Sequence, residues 1–355
     1  MDKLKQVLSA HAQRYPLMQP QDAVKLIYQN EFGGGHLISN PDAVLTRLQA
    51  ERAGTAYDPS APLLEEIGNG MVRVMLAAQT DTVYPLEQLN EDFVRSANLH
   101  TGDRKSFLQK LDLLKELTRQ GCFSFSAVDL EAYLTAYLAD GCPAVSHSAV
   151  YRDAYRPAYR VVCRDCLPPV PVILQTVLHL STPKNRPLLI SVDGRCASGK
   201  TTLAARLQQA LDCSVFHMDD FFLRPEQRTQ ERYETPGENV DHERFLEEVL
   251  LPLSRGEAVC YRPFDCSTGQ LGDPIPVKPA PVAVIEGSYS CHPNLAPFYD
   301  LKVFLTLSPE AQMRRIILRE GEEYAEVFRT RWIPLEERYF AACQVEKTAN
   351  LRFET

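Results

Sequence analysis

The spacing of apolar residues changes character near the middle of the chain. Up to about Asp140 apolar positions recur at helical intervals, and in the segment 103–121 Phe107, Leu111 and Leu114 form one core-facing stripe. Asn40 and Pro41 read as a helix start, and Gly121 and Gly141 as two helix stops. IGNGMVRVML departs from this pattern, because Gly68-Asn69-Gly70 can turn the chain into a short strand. Beyond Asn185, strand-like and helix-like stretches alternate: LLISVD, KTTLAARLQQAL, CSVFHM, a helix over 243–253, PVAVIE and LKVFLTL. Alternation of this kind predicts a parallel α/β sheet, whose buried strands read as continuous apolar runs.

A length of 355 residues favours two domains over one. The division predicted is a mainly α-helical domain over 1–166, a Pro-rich linker over 167–186 and an α/β domain over 187–355. A net charge of −8 argues against a broad hold on nucleic acid, which depends on neutralising many phosphates with Lys and Arg. Of the ten cysteines, Cys163 and Cys166 are the closest pair, and no second CxxC accompanies them to complete a four-ligand zinc site. MDKLKQVLSAHAQRYP reads as an amphipathic helix, not a secretory signal, so a cytoplasmic location without disulfides is expected. LPPVPVILQTVLHL is too short and too broken by proline to span a bilayer, and no membrane segment is expected.

The sharpest chemical signal is Gly194, Arg195, Cys196, Ala197, Ser198, Gly199, Lys200, Thr201 and Thr202, which satisfies G-x-x-x-x-G-K-[ST] between a buried strand and a helix bearing Leu203, Leu207 and Leu211. Glycines at 194 and 199 let the backbone wrap a phosphate, so that several N–H groups and a helix N-terminus point at one anion. ATP and Mg²⁺ are the implied cofactors, with Lys200 on the β- and γ-phosphates and the Thr201 hydroxyl on the metal. The predicted fold is therefore α/β: a P-loop NTPase parallel sheet flanked by helices, preceded by the helical domain.

Ligands of such sheets gather outside the carboxyl ends of the strands. Asp219 and Asp220 follow the run CSVFHM, and Glu286 ends PVAVIE. We assign Glu286 to the metal and Asp219 to the acceptor's proton, and read Asp220 as a solvated loop acid. Arg314, Arg315 and Arg319 follow Ser308-Pro309, a capped helix start, and are candidates for neutralising charge on a transferred phosphoryl group.

DGRCASGKTT, HMDDFF, ENVDHERF, VIEGSY and RRIILRE occur in the order seen in the uridine kinase-like family, which includes uridine, nicotinamide riboside, pantothenate and phosphoribulose kinases. The resemblance covers Pro187 to the C-terminus. It implies that Asp219 is the catalytic base, that Asp241 contacts the acceptor's hydroxyls, that Glu286 is the V-[IL]-[FE]-E-G acid, and that Arg314, Arg315 and Arg319 are lid arginines. This chain resembles uridine kinases least where they read the base: Phe222 stands in place of a common tyrosine, and PFDCSTGQ lacks a histidine after Asp265. A pocket without those partners discriminates pyrimidines less well. A small-molecule hydroxyl acceptor of the nucleoside class is the first expectation; a nucleotide-dependent regulatory module is the alternative, and neither acceptor nor oligomeric state is encoded in these patterns.

Two features of the N-terminal half suggest a second site. EFGGGHLISN places three glycines before His36, either a close backbone approach to a ligand or an interhelical turn. HSAVYRDAYRPAYR alternates Tyr151, Tyr155 and Tyr159 with Arg152, Arg156 and Arg160 at intervals of four, although Pro157 interrupts a helix there. Such a stripe either grips a phosphate or carboxylate, or packs its tyrosines on the kinase domain. This half resembles bacterial domains of unassigned function fused ahead of such kinases.

Overall fold

In the computed structural model, which describes residues 2–34, 38–180, 183 and 185–355, the chain divides into two compact units, Met1–Gln175 and Thr176–Thr355. Gly35, His36 and Leu37, the heart of the glycine run, lie outside the described residues. No helix among the described residues is long and apolar enough to cross a membrane.

The first unit is built from the helices Asp2–Arg14, Pro20–Phe32, Pro41–Ala53, Leu86–Leu99, Arg104–Arg119, Ala127–Ala139 and Ala149–Tyr155. Asn40 caps the third, its side chain accepting the Ala43 N–H at 3.1 Å with Pro41 at the first helical position. Phe107, Leu111 and Leu114 are buried as their spacing required. The helices are not alone. Strands β1 (Leu64–Gly68), β2 (Met71–Met75) and β3 (Tyr159–Cys163) form an antiparallel sheet in the order β1-β2-β3. Asn69 and Gly70, with φ of 54° and 72°, make a two-residue turn whose twist matches the strands it joins.

The tyrosine and arginine stripe does not form, because the helix stops at Tyr155 and the chain re-enters the sheet at Tyr159 beyond Pro157. Its tyrosines turn into the unit's own interior, Tyr15 standing 5.4 Å from Tyr151 and 5.1 Å from Tyr155 between ring centres. Arg160 pairs with Glu51 at 2.6 Å.

Polar side chains are gathered in this interior. The buried Arg73 of β2 donates to Glu65 at 3.1 Å and to Gln29 at 2.8 and 3.2 Å, with its guanidinium 4.5 Å from the centre of the Tyr159 ring. His147 bridges Asp22 at 2.9 Å and the Tyr159 hydroxyl at 2.6 Å. Burial alone would raise the Glu65 carboxyl, but the His11 hydrogen bond and the Arg73 charge outweigh it and hold the group at about 2.

The Pro-rich passage read as a linker instead contains a helix, Pro169–His179, with Val170, Val172, Ile173 and Leu174 buried. Pro169 and Pro171 stand in its first turn, where a missing N–H has no intrahelical carbonyl to lose.

The second unit is the predicted parallel sheet. Strands β4 (Leu188–Gly194), β5 (Cys213–His217), β6 (Val282–Glu286), β7 (Leu301–Thr306) and β8 (Leu351–Glu354) lie in the order β8-β7-β4-β6-β5, every pair parallel. All seven residues of the central β4 are buried. The edge strand β8 alternates partly buried Leu351 and Phe353 with exposed Arg352 and Glu354 and carries no continuous apolar run, so periodicity did not announce it. The predicted helix over 243–253 is present, with a π-turn at Leu246–Leu250 just before Pro252, which has no N–H to give a regular turn.

Arg73→Met would leave Glu65 buried without its buried guanidinium partner. The expected loss is about 3 to 5 kcal/mol in the first unit. In the native chain the Glu65 contribution is complete above 4.5, the ordinary value, and is lost as pH falls toward about 2. Hydrogen exchange across β1 and β2 in the full-length protein checks this: protection unchanged by the substitution would contradict the account.

Candidate functional site

The P-loop is shaped by close backbone approach. Gly194 ends β4 at φ 140°, and a Cβ there would lie 2.1 Å from the Leu305 carbonyl oxygen of β7, a position no side chain can occupy. Ala197 at φ 61° and Gly199 at φ 89° curl the loop into the helix Lys200–Ala210, so the helix N-terminus opens into the loop. Lys200 folds back over it, Nζ donating to the Gly194 and Arg195 carbonyls at 2.8 and 3.1 Å. Ser198 Oγ is buried there with no hydrogen-bond partner, an orphaned group of the sort a bound phosphate oxygen satisfies.

Strand register positions the carboxylates. Glu286, the last residue of β6, is aligned with Val192 of β4 on one side and His217 of β5 on the other. The Thr201 hydroxyl, in the first turn of the helix, lies 3.2 and 3.3 Å from the two Glu286 oxygens. His217 Nδ1 is 2.6 Å from one of them, and this hydrogen bond raises the imidazole above its ordinary value. An oxygen-only pair such as Thr201 and Glu286 suits Mg²⁺, a hard cation that favours hydroxyl, carboxylate and phosphate ligands.

Asp219 follows β5 by two residues and is open to solvent. Neighbouring protein nevertheless weakens its hydration and raises its carboxyl above the usual aspartate value; Lys200 opposes that rise and Glu286 adds to it. Asp219 thus shares one electrostatic neighbourhood with Lys200, His217 and Glu286. Asp220 is not the solvated acid expected of a loop: it is half-buried, and accepts the Tyr261 hydroxyl at 2.7 Å.

Phe222 forms a β-bridge with Val240, and the Asp241 N–H donates to the Phe221 carbonyl at 2.8 Å. The segments 219–222 and 240–241 are zipped together in this way. Asp241 is buried and caps the following helix, accepting the Arg244 N–H at 3.3 Å, with the Arg224 guanidinium 3.7 Å away. Asp265, in the segment that lacks a histidine, folds onto its own turn by accepting the Ser267 N–H and hydroxyl at 2.8 and 2.6 Å.

The arginines separate. Arg195 is committed to Glu337 at 2.7 and 3.0 Å and to Thr306 at 2.6 Å. Among Arg314, Arg315 and Arg319, all on the helix Pro309–Glu320, Arg315 reaches the P-loop, donating to the Ala197 carbonyl at 3.2 Å. Arg319 pairs with Glu320 at 2.7 Å, and Arg314 is exposed. The Cys196 N–H donates to the buried Glu336 at 3.0 Å, so one P-loop amide is engaged by the protein itself.

Three of the groups that shape the site were not anticipated. Asp193 stands near the end of β4 and His217 is the last residue of β5, polar positions visible in the sequence, whereas Glu336 lies on a distant helix and carries no such signal. Asp193 is fully buried and its carboxylate accepts from Gly194 N–H at 2.7 Å, Cys291 N–H at 2.9 Å and the Tyr339 hydroxyl at 2.8 Å. Burial still prevails and lifts it to about 6.

Residues 189–324 match the family model described as "Phosphoribulokinase / Uridine kinase family". Similar curated proteins include a uridine kinase of Clostridium perfringens, 24% identical over 148 residues, covering 39% of this chain and 70% of the relative. A uridine kinase of Brevibacillus brevis is 27% identical over 147 residues, 39% of this chain and 68% of its own. Among solved structures, a possible uridine kinase from Bacillus stearothermophilus aligns with a TM-score of 0.40 at 23% identity, covering 51% of this chain and 95% of its own.

Asp193→Ala would strand three buried donors at the end of β4. The expected cost to the second unit is on the order of 3 to 6 kcal/mol. Denaturant unfolding followed by the fluorescence of the single tryptophan, Trp332, measures it, and a loss under about 1 kcal/mol would show the network to be dispensable.

Proposed function

We propose that the unit carrying this phosphoribulokinase / uridine kinase family domain is an ATP-dependent kinase that transfers the γ-phosphate to a hydroxyl of a small metabolite, nucleoside-like acceptors being the first class to test. The observation that carries the reading is the convergence of Lys200, Thr201, Glu286 and Asp219 at the carboxyl ends of β4, β5 and β6.

In this reading the P-loop amides and Lys200 hold the triphosphate. Thr201 and Glu286 would hold Mg²⁺, which when bound neutralises charge on the phosphates. His217 shares its proton with Glu286 and keeps that carboxylate turned toward Thr201. Asp219 takes the proton from the acceptor hydroxyl, and its raised value brings it closer to the basicity that proton transfer needs near neutral pH. Arg315 is the arginine best supported as a partner of the transferred group, since it already touches the loop. Asp241 and Phe222, zipped to the Asp219 segment, are the candidate acceptor contacts. Little covalent chemistry is required of the protein, and the rate comes from positioning and charge.

The test is ADP release from Mg-ATP against a panel of nucleosides, vitamins, sugars and hydroxy acids. With the right acceptor, Asp219→Asn is expected to lower kcat by about 10²- to 10⁴-fold while leaving ATP affinity in place. The base must be ionised to act, so kcat/KM should fall as pH drops through a limb lying above the usual aspartate range, and that limb should vanish in the variant. Hydrolysis independent of every acceptor and unchanged by Asp219→Asn would instead support a nucleotide-dependent regulatory module.

A further inference from the structure

Among the described residues, one group of three potential metal ligands converges, and it is not the Thr201 and Glu286 pair. Glu238, His242 and His292 bring one carboxylate oxygen and two imidazole nitrogens within 4.8 Å of one another. We infer that these three side chains form a binding site for one borderline divalent transition-metal ion of the zinc class.

The ligand atoms lie close together. His242 Nε2 lies 3.0 Å from one Glu238 oxygen and His292 Nε2 3.5 Å from the other. The two rings stack with centres 3.9 Å apart and planes 12° from parallel, so one ring has to tilt out of the stack for both in-plane lone pairs to meet one ion. Both histidines are almost fully buried, at 3% and 4% exposure, while Glu238 is about a quarter exposed and leaves a path for an ion to enter. Two imidazoles and a carboxylate form a donor set for zinc, cobalt or nickel, whereas Mg²⁺ and Ca²⁺ prefer oxygen alone.

The backbone around the site is built to hold this arrangement. Gly237 sits at φ 89°, and a Cβ there would lie 3.0 Å from His292 Cδ2, so the imidazole packs directly on a backbone that only glycine serves well. Arg232 Nε donates to the Glu238 carbonyl at 2.8 Å and fixes that residue from behind. Its guanidinium is 3.6 Å from the Glu238 carboxylate but commits its fork to Glu243 at 2.9 Å on both arms, which leaves the Glu238 oxygens to the histidines. His292 follows Cys291, whose N–H is anchored on Asp193. The Asn294 N–H lies 3.3 Å from His292 Nδ1 and has to give up that acceptor when Nε2 takes a metal, because the neutral imidazole then carries its proton on Nδ1. With three protein ligands, water completes a four-coordinate shell.

Such an ion would clamp the segment that carries Asp241 to the loop that leaves Glu286. Binding itself does not depend on the kinase reading, and its test does not use activity.

The full-length protein, stripped with a chelator, is titrated with Co²⁺. One saturating equivalent is expected, with visible d–d bands of a four-coordinate ion, no thiolate charge-transfer band, and displacement by Zn²⁺. Glu238→Gln and His292→Asn should each weaken uptake about 100-fold or more, since even loss of an outer-shell partner costs 10- to 100-fold. Glu286→Gln should leave uptake unchanged, which separates this site from the nucleotide site. Zinc should also raise the melting temperature of the wild-type protein. The inference is overturned if the wild-type chain takes up no saturating equivalent, if a thiolate band appears, or if His292→Asn, folded by circular dichroism, binds as tightly as wild type.

Discussion

A carboxylate buried at the carboxyl end of the central strand holds the second unit's chemistry together. Asp193 takes hydrogen bonds from the first residue of the P-loop, from the loop that follows Glu286 and from the helix bearing Tyr339. Glu336, on the same helix as Tyr339, joins these segments a second time by accepting from the Cys196 N–H and the Ser288 hydroxyl. A carboxylate is suited to the task, since it accepts several donors at once while an amide oxygen accepts fewer. Removing it from water is costly, and burial raises it to about 6 despite three donors.

Much of the remaining geometry follows from parallel strand register. Once β6 lies between β4 and β5, Glu286 must stand beside His217 and opposite the first turn of the P-loop helix. No long-range side-chain recognition is needed to bring a helix hydroxyl, an imidazole and a carboxylate together. The glycine at 194 is required for the same reason: β7 packs so closely that a Cβ would collide with the Leu305 carbonyl. Negative charge is dense at this edge of the sheet, with Glu286, Asp219 and Asp220 near one another, and Lys200 and His217 supply the local compensation. The balance suits a site that receives a cation together with a polyanion.

The first unit solves a different problem. Its helices and small sheet bury Arg73, Glu65, Asp22 and His147 in a network whose members satisfy one another. A network of this kind specifies one arrangement of the elements around it, because each buried donor or acceptor is costly to leave alone. The tyrosines of the expected stripe belong to this interior, packed at an angle around Tyr15 and beneath Arg73. Pro157 is the cause, since it breaks the helix that would have displayed them.

What the sequence determined by itself is what depends on local chemistry. The P-loop, the alternation of apolar strands and amphipathic helices, the cap at Asn40 and the turn at Gly68-Asn69-Gly70 each lie within a few residues, and each was legible. The candidate carboxylates Asp219 and Glu286 could be found too, because they stand at the ends of recognisable strands. The tertiary structure alone decided what depends on residues far apart. The edge strand β8 had no apolar run, the Pro-rich passage 167–186 holds a helix that keeps Pro169 and Pro171 in its first turn, and Asp220 turned inward to Tyr261. Asp193 with Tyr339, Cys196 with Glu336, and His242 with His292 are pairs separated by 50 to 146 residues. Local periodicity says which face of an element is apolar, but not which buried polar group will find which partner, and that pairing emerges only when the layers pack.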